Sequence, residues 1–313
     1  MNESEALKRM IAPGTRRPGK YREGVIQIWV TRACDRACFN CTQGSNLAGN
    51  PGLITLEQFD RACECLQNYF GVVGMFGGNP AMHPQFDELC AILRNRIPYE
   101  RRGLWCNNPL GKGKVMRETF NPSISNLNVH LDRKAYDEFK RDWPECHPVG
   151  LQTDSRHSPV HLAMMDVIPD ESQRWELISG CDINRHWSAM FGVFRGELRF
   201  WFCEIAGAQA MLHQHDPAWP DTGFVATPDC WRQQMEAYAE QVRWHCHRCG
   251  VPLRGYGELA CAGDNGIEQT SLVHLDVYRP KRRGRIVQTV SSTDQLGEKH
   301  VGRVTDYIGN AGR

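Results

Sequence analysis

The sequence predicts an α/β protein: a partial (β/α)6 barrel followed by a small C-terminal α+β domain. Three observations carry that expectation. From residue 25 to about 179, apolar stretches of strand length alternate with amphipathic stretches of helical period. Five or six such units fit, fewer than the eight of a closed barrel. Beyond residue 179 the texture changes to an aromatic-rich hairpin and scattered helices. A chain of 313 residues has room for one large domain and a smaller one. The expected divisions are an arm over 1–24, the partial barrel over 25–179, the small domain over 180–262 and an extension over 263–313.

Taken in order, residues 1–24 are polar and basic, with Pro13 and Pro18 interrupting any long helix, so an extended arm is expected. Residues 25–30 (Val-Ile-Gln-Ile-Trp-Val) form the first strand. Thr55-Leu56-Glu57-Gln58 has the form of a capping box. The helix it opens buries Leu56, Phe59, Cys63, Leu66 and Phe70 at helical spacing. Residues 72–76 form a short strand, and Pro84 opens a helix with Phe86, Leu89, Ile92 and Leu93 inward. Further strands are expected at 104–106, 127–131, 149–151 and 161–167, with helices at 136–139 and 172–178. Repeated strand–helix units imply a parallel sheet with right-handed crossovers. In the second half, 190–195 and 198–203 flank Gly196 as a β-hairpin, and 205–212 and 230–244 read as helices. The last fifty residues carry a basic run (Arg279, Lys281, Arg282, Arg283, Arg285), read as a solvated face.

Bulk properties narrow the function. With 37 basic and 36 acidic residues the net charge is +1, which gives no global pull toward nucleic acid or anionic membrane. The basic run lacks interleaved stacking aromatics, so nucleic acid is not an expected partner. No apolar run reaches the roughly 18–20 residues of a membrane helix. The amino terminus has acids where a signal peptide has bases, and the expected location is the cytoplasm. Fourteen cysteines in a reducing compartment point to metal ligation or catalysis rather than to disulfides.

The densest chemistry is Cys34-Asp35-Arg36-Ala37-Cys38-Phe39-Asn40-Cys41, directly after the first strand. Thiolates are soft ligands suited to iron–sulfur clusters and zinc. Three of them hold three corners of a four-iron cubane and leave the fourth iron open. A partial zinc site or surface thiols are the bland alternative.

The CxxxCxxC spacing resembles that of the radical S-adenosylmethionine (radical SAM) enzymes, and the resemblance spans roughly residues 25–180. Gly77-Gly78-Asn79-Pro80 after the second strand matches the family's glycine-rich methionine-binding motif, with Asn79 where glutamate is usual. Asn40 precedes the third cysteine, where the family commonly places an aromatic near the adenine; here Phe39 stands one place early. Cys106-Asn107-Asn108 and His130-Leu131-Asp132 match the third and fourth strand ends, so Asn107 and Asp132 join the expected cofactor contacts. A turn asparagine and a helix-capping aspartate are the structural alternatives. The resemblance implies S-adenosylmethionine on a 4Fe–4S cluster held by Cys34, Cys38 and Cys41. It implies a 5′-deoxyadenosyl radical as the reagent, the hard chemistry being the cofactor's.

Cys181, Cys203, Cys246 and Cys249 form a second constellation. They resemble the twitch-type auxiliary module of some radical SAM enzymes, which makes the small domain an iron–sulfur domain with an auxiliary 4Fe–4S cluster. A zinc ribbon on the same residues is the competing reading. Cys230 and Cys261 are the rival ligands, while His213, His215, His245 and His247 are expected as surface or capping residues. The layout is similar to that of the aminocyclitol dehydrogenases of butirosin-type pathways. That likeness implies a small polar substrate, oxidation of a carbinol to a ketone with the auxiliary cluster as electron acceptor, and a flavodoxin- or ferredoxin-like electron donor. One alternative is a radical epimerase with Cys261 as hydrogen donor and Cys106 second; another is a peptide-modifying maturase gripping a leader with its basic tail.

Overall fold

The computed structural model describes residues 1–16, 21–186, 188–253, 256, 258–261 and 267–296. Pro18 and Lys20 of the expected arm, Ala262 and Gly263 beside Cys261, and the end of the C-terminal extension lie outside the described residues. In chain order the elements of the first half are α1 (Glu3–Arg9), β1 (Val25–Thr31), α2 (Leu56–Cys65), β2 (Val72–Gly77), α3 (Phe86–Arg96), β3 (Arg102–Cys106), α4 (Gly113–Thr119), β4 (Asn126–Leu127), α5 (Arg133–Asp142) and β5 (Arg156–His157). They are followed by α6 (Met164–Val167), α7 (Glu171–Ser179), α8 (Asp182–His186), β6 (Ser188–Phe194), β7 (Glu197–Trp201), α9 (Glu204–Leu212), β8 (Phe224–Val225), α10 (Ala239–His245), β9 (Glu258–Leu259), β10 (Ile267–Thr270) and β11 (Ile286–Thr289).

A seven-stranded sheet in the order β4-β3-β2-β1-β6-β7-β8 positions everything else. Strands β4, β3, β2, β1 and β6 run parallel; β7 pairs antiparallel with β6, and β8 antiparallel with β7. Strand β1 is the inner one, with β2 and β6 on its two sides and every residue buried, as a near-continuous apolar run requires. Val25 to Ile28 pair in register with Ser188 to Phe191, so the hairpin of the second half extends the sheet of the first. The hairpin turns at Arg195 and Gly196, both at positive φ (50° and 86°), the combination that suits a two-residue connection between twisted strands. Helices α2 and α3 cover the sheet through Phe59, Phe86, Leu89 and Leu93, all fully buried.

The capping box at Thr55 forms as the sequence predicts: Thr55 accepts from the Gln58 amide and Gln58 accepts from the Thr55 amide. Several expectations need correction. The arm begins as a helix, because Asn2 and Glu5 cap each other reciprocally and acids precede bases along α1; Pro13 lies beyond its end. Helix α2 stops at Cys65 rather than running to Phe70. The strand expected over 127–131 ends at Leu127, and the one over 149–151 is a single parallel bridge from Asn128 to Val149. The stretch 161–167 is a turn followed by α6, since its apolar run is too short to separate strand from helix by period alone. The stretch 230–244 breaks into two 3-10 turns and α10.

Candidate metal-binding sites

The cysteine turn leaves the C-terminal end of β1, where parallel strands gather their loops. Asp35 anchors it. Its carboxylate accepts from the side-chain amides of Asn79 and Asn107 at 3.1 Å each and of Asn108 at 2.9 Å, tying the turn to the ends of β2 and β3. Burial opposes ionisation of Asp35, but the three amides outweigh it and hold the carboxyl below its ordinary range. Arg36 pairs with Asp132 at 2.6 Å, and its own amide donates to the Cys34 sulfur at 3.4 Å. Gly77 and Gly78 close the other side. The Gly78 and Asn79 amides donate to Thr31 and Ala33 at 2.7 Å each, an approach so close that a Cβ on either glycine would strike those carbonyls or their neighbours.

Cys34, Cys38 and Cys41 line one cavity of about 160 Å³ together with Gly77, Gly78, Cys106 and Asn107. Burial, then the neighbouring Cys41, push the Cys34 thiol up to about 12. Cys38 is raised well above the thiol range by its hydrogen bond with Cys261, by burial and by the other two cysteines. Such thiols face one another and are held protonated until a soft cation displaces their protons, so the donor set fits an iron–sulfur cluster. Gln43 and Ser45 line the same cavity, and their buried side-chain polar atoms have no hydrogen-bond partner among the described residues. Atoms of that kind are ordinarily satisfied by a ligand or water. The second half of the chain also reaches in: buried Glu204, at the start of α9, accepts from Gln27 of β1 at 2.8 Å, and both line the cavity.

The other predicted contacts are distributed differently. Phe39 and Asn40 are buried but are not among the cavity-lining residues: the Phe39 ring packs under the Arg285 guanidinium at 3.9 Å, and Asn40 takes φ 50°. Asn79 caps the 3-10 turn that begins at Pro80 and is committed to Asp35 and the Asn108 carbonyl. Asp132 N-caps α5, and reaches the cavity only through Arg36. His130 lines it instead, since His130 and Leu131 both adopt positive φ (45° and 65°) and break strand alternation just there. Cys106 lines the cavity with its thiol donating to Asn79 and to the Asn108 carbonyl at 3.2 Å.

Cys261 lies beside the cysteine turn. Its amide donates to Asp154 at 2.5 Å, and the other Asp154 oxygen meets His130 Nδ1 at 3.1 Å. The Cys261 thiol is lowered to about 5, by its hydrogen bond with Cys38 and, against burial, by His130. Burial disfavours the His130 cation, but Asp154 and Cys261 outweigh it and raise its pKa. The His130–Asp154 pair is invisible in the sequence: His130 stands in the fourth strand-end match, but nothing there links it to Asp154, 24 positions on.

At the second constellation, Cys181, Cys203, Cys246 and Cys249 line one largely apolar cavity with Ile178, Phe202, Ile205 and Val251. Cys203, Cys246 and Cys249 are raised by burial first and then by their neighbouring thiols, Cys181 among them. The Val251 amide donates to the Cys249 sulfur at 3.5 Å. Four soft donors in a dry pocket also fit an iron–sulfur cluster, and equally a zinc ion. Cys230 lies elsewhere, near Cys65. His213 and His245 are buried, not surface residues: His213 bonds His274 at 3.0 Å, and His245 bonds Thr222 at 2.8 Å and Gln209 at 3.2 Å.

Fold and site define a mixed α/β protein with two cysteine-lined cavities. No protein-family model matches the chain, and no curated protein does. Among solved structures it is similar to a crystal structure of BtrN in complex with AdoMet and 2-DOIA, at 14% sequence identity over 76% of this chain and 92% of that one, with a TM-score of 0.42. It is also similar to selenomethionine BtrN in an open conformation, at 13% identity over 77% of this chain and 92% of that one, with a TM-score of 0.37.

Proposed function

We propose that the chain is a radical SAM enzyme that removes a hydrogen atom from a C–H bond of a small polar substrate, of sugar or aminocyclitol type. The net reaction in this reading oxidises a carbinol to a ketone. The observation that carries it is the meeting of Cys34, Cys38 and Cys41 with Gly77 and Gly78 around one cavity. Those three cysteines would hold the cubane. When bound, a four-iron cubane with S-adenosylmethionine on its open iron supplies a 5′-deoxyadenosyl radical able to cleave an unactivated C–H bond.

The chain's own residues supply the rest. Gln43, Ser45, Asn107, Asn126, Asn128 and Ser155 give the cavity a neutral hydrogen-bonding wall suited to a hydroxylated substrate. Asp154 holds His130 Nδ1 and fixes the ring in the cavity wall, which makes His130 the candidate to take the carbinol proton. A carbinol gives up one hydrogen atom, one proton and one electron on becoming a ketone. Cys181, Cys203, Cys246 and Cys249 would hold the auxiliary cluster that takes the electron. A flavodoxin- or ferredoxin-like donor in the cytoplasm is the expected source of the electron that starts each turnover.

An epimerase is the second reading, favoured by the Cys261 thiol beside Cys38 and His130. Epimerisation leaves one solvent-derived hydrogen in the product, whereas dehydrogenation leaves none. A leader-gripping maturase has less support, because Lys281 and Arg285 of the basic run are engaged with the cysteine turn. The test is anaerobic reconstitution with iron and sulfide counted. Wild type is expected to hold about eight irons, and a Cys34/Cys38/Cys41→Ala variant about four. Reconstituted protein that never releases 5′-deoxyadenosine under strong reductant would sink the reading.

A further inference from the structure

The sulfurs of Cys38 and Cys261 and a ring nitrogen of His130 lie within 4.8 Å of one another. A tetrahedral zinc ion, with bonds of about 2.3 Å to sulfur and 2.0 Å to nitrogen, sets neighbouring ligand atoms about 3.5–3.8 Å apart. Closing onto an ion would draw any pair together by no more than about 1.3 Å. The group is also built from behind. Asp154 meets His130 Nδ1 at 3.1 Å, which fixes the ring and leaves Nε2 as the ligand atom. Its second oxygen accepts from the Cys261 amide at 2.5 Å, which fixes the backbone that carries the second sulfur. A carboxylate behind a ligating histidine is the usual outer partner of a zinc site.

We propose that Cys38, Cys261 and His130 form a mononuclear zinc-class site that excludes the cubane of the cysteine turn. The ligand set itself does not depend on the radical SAM reading; the exclusion does, because it arises from sharing Cys38. Two thiolates and an imidazole select zinc over harder ions, and a water would complete the tetrahedron. A Cys38 sulfur bound terminally to a lone ion is not free to bind terminally to the cubane. Zinc must therefore leave before the three-cysteine cluster assembles.

The experiment uses the full chain, purified free of iron and titrated anaerobically with Co2+ as a spectroscopic probe. The four-cysteine site takes up cobalt too, so the readout is stoichiometry. Cys261→Ser and His130→Gln are each expected to bind one equivalent fewer than wild type, with unchanged far-ultraviolet circular dichroism. A Cys34→Ser/Cys41→Ser variant is expected to bind as many as wild type. Full cobalt uptake by Cys261→Ser, or a lost equivalent in Cys34→Ser/Cys41→Ser, overturns the proposal. Iron content after reconstitution separates the two ideas: Cys261→Ser is expected to reach the wild-type count, and a shortfall would make Cys261 a cubane ligand and end the exclusion. Should wild type itself take up no iron, the radical SAM reading fails while the cobalt result stands on its own.

Discussion

Asp35 carries more of the first site than any residue except its cysteines. It sits inside the cysteine turn and gathers three asparagine amides from the ends of two other strands. Hydrogen bonds to a charged acceptor contribute about 1.5–3 kcal/mol each, less than additively when they share one carboxylate. Asp35→Ala is expected to lower stability by about 2–4 kcal/mol. It is also expected to abolish iron at the three-cysteine site while the four-cysteine site keeps its share. Denaturant unfolding with iron counts checks both, and an Asp35→Ala protein with the full iron content would refute the anchoring role. Its three partners come from distant positions, so spacing along the chain does not reveal the role.

Among the elements, the C-terminal segment departs furthest from expectation. Its basic run reads as a solvated face, yet Arg285 and Lys281 fasten the cysteine turn. Arg285 donates to the Ala37 carbonyl at 2.7 Å and covers the Phe39 ring, and Lys281 donates to the Cys34 carbonyl. The Arg285 side chain is 1% exposed and pairs with Glu268, which is 0% exposed. Glu268 also accepts from Asn46 at 2.8 Å and from Tyr278. Removing one member of a buried ion pair strands the other and costs about 3–5 kcal/mol. Arg285→Met is therefore expected to lower the melting temperature steeply, and Glu268→Gln in the same background to recover part of the loss. A double variant no more stable than the single one would show that the stranded charge is not the cause. Local pattern could not supply this, because a cation's burial depends on what the rest of the chain lays over it.

At the scale of the whole molecule, the end of α9 and the turn after β10 bring two distant histidines together in buried surroundings. His213 and His274 bond each other at 3.0 Å, with His213 stacked on Trp219 at 3.8 Å and His274 bonded to the Arg248 carbonyl at 2.7 Å. Burial, the pairing itself and the Arg248 cation lower His213 to about 3. Burial and the Arg248 cation, against the carbonyl bond, lower His274 to about 4. His161 packs edge-on against His274 as a further neighbour. In the unfolded chain each imidazole titrates near 6.5. Above that both states are neutral; below it only the unfolded chain binds the proton, so stability falls as pH falls from about 6.5 toward 4. Each of the two histidines costs on the order of 2 kcal/mol by pH 5. The melting temperature is expected to drop between pH 7.5 and 5, with a shallower slope for His274→Asn. Equal slopes would contradict the assignment.

What the sequence determined by itself is whatever depends on spacing along the chain. The three-cysteine turn after an apolar strand, the paired glycines after the next one, the capping box at Thr55 and the hairpin around Gly196 all follow from rules acting over a few residues. What only the tertiary structure decided is which distant groups share a space. His130 faces the cavity while Asp132 caps a helix, because two residues at positive φ turn the chain where a strand was expected to continue. Cys261 joins Cys38, Arg285 covers Phe39, and four cysteines between 181 and 249 close around one dry pocket. Such meetings are set by sheet order and burial, which sum over the whole chain, and no short window of sequence carries that sum.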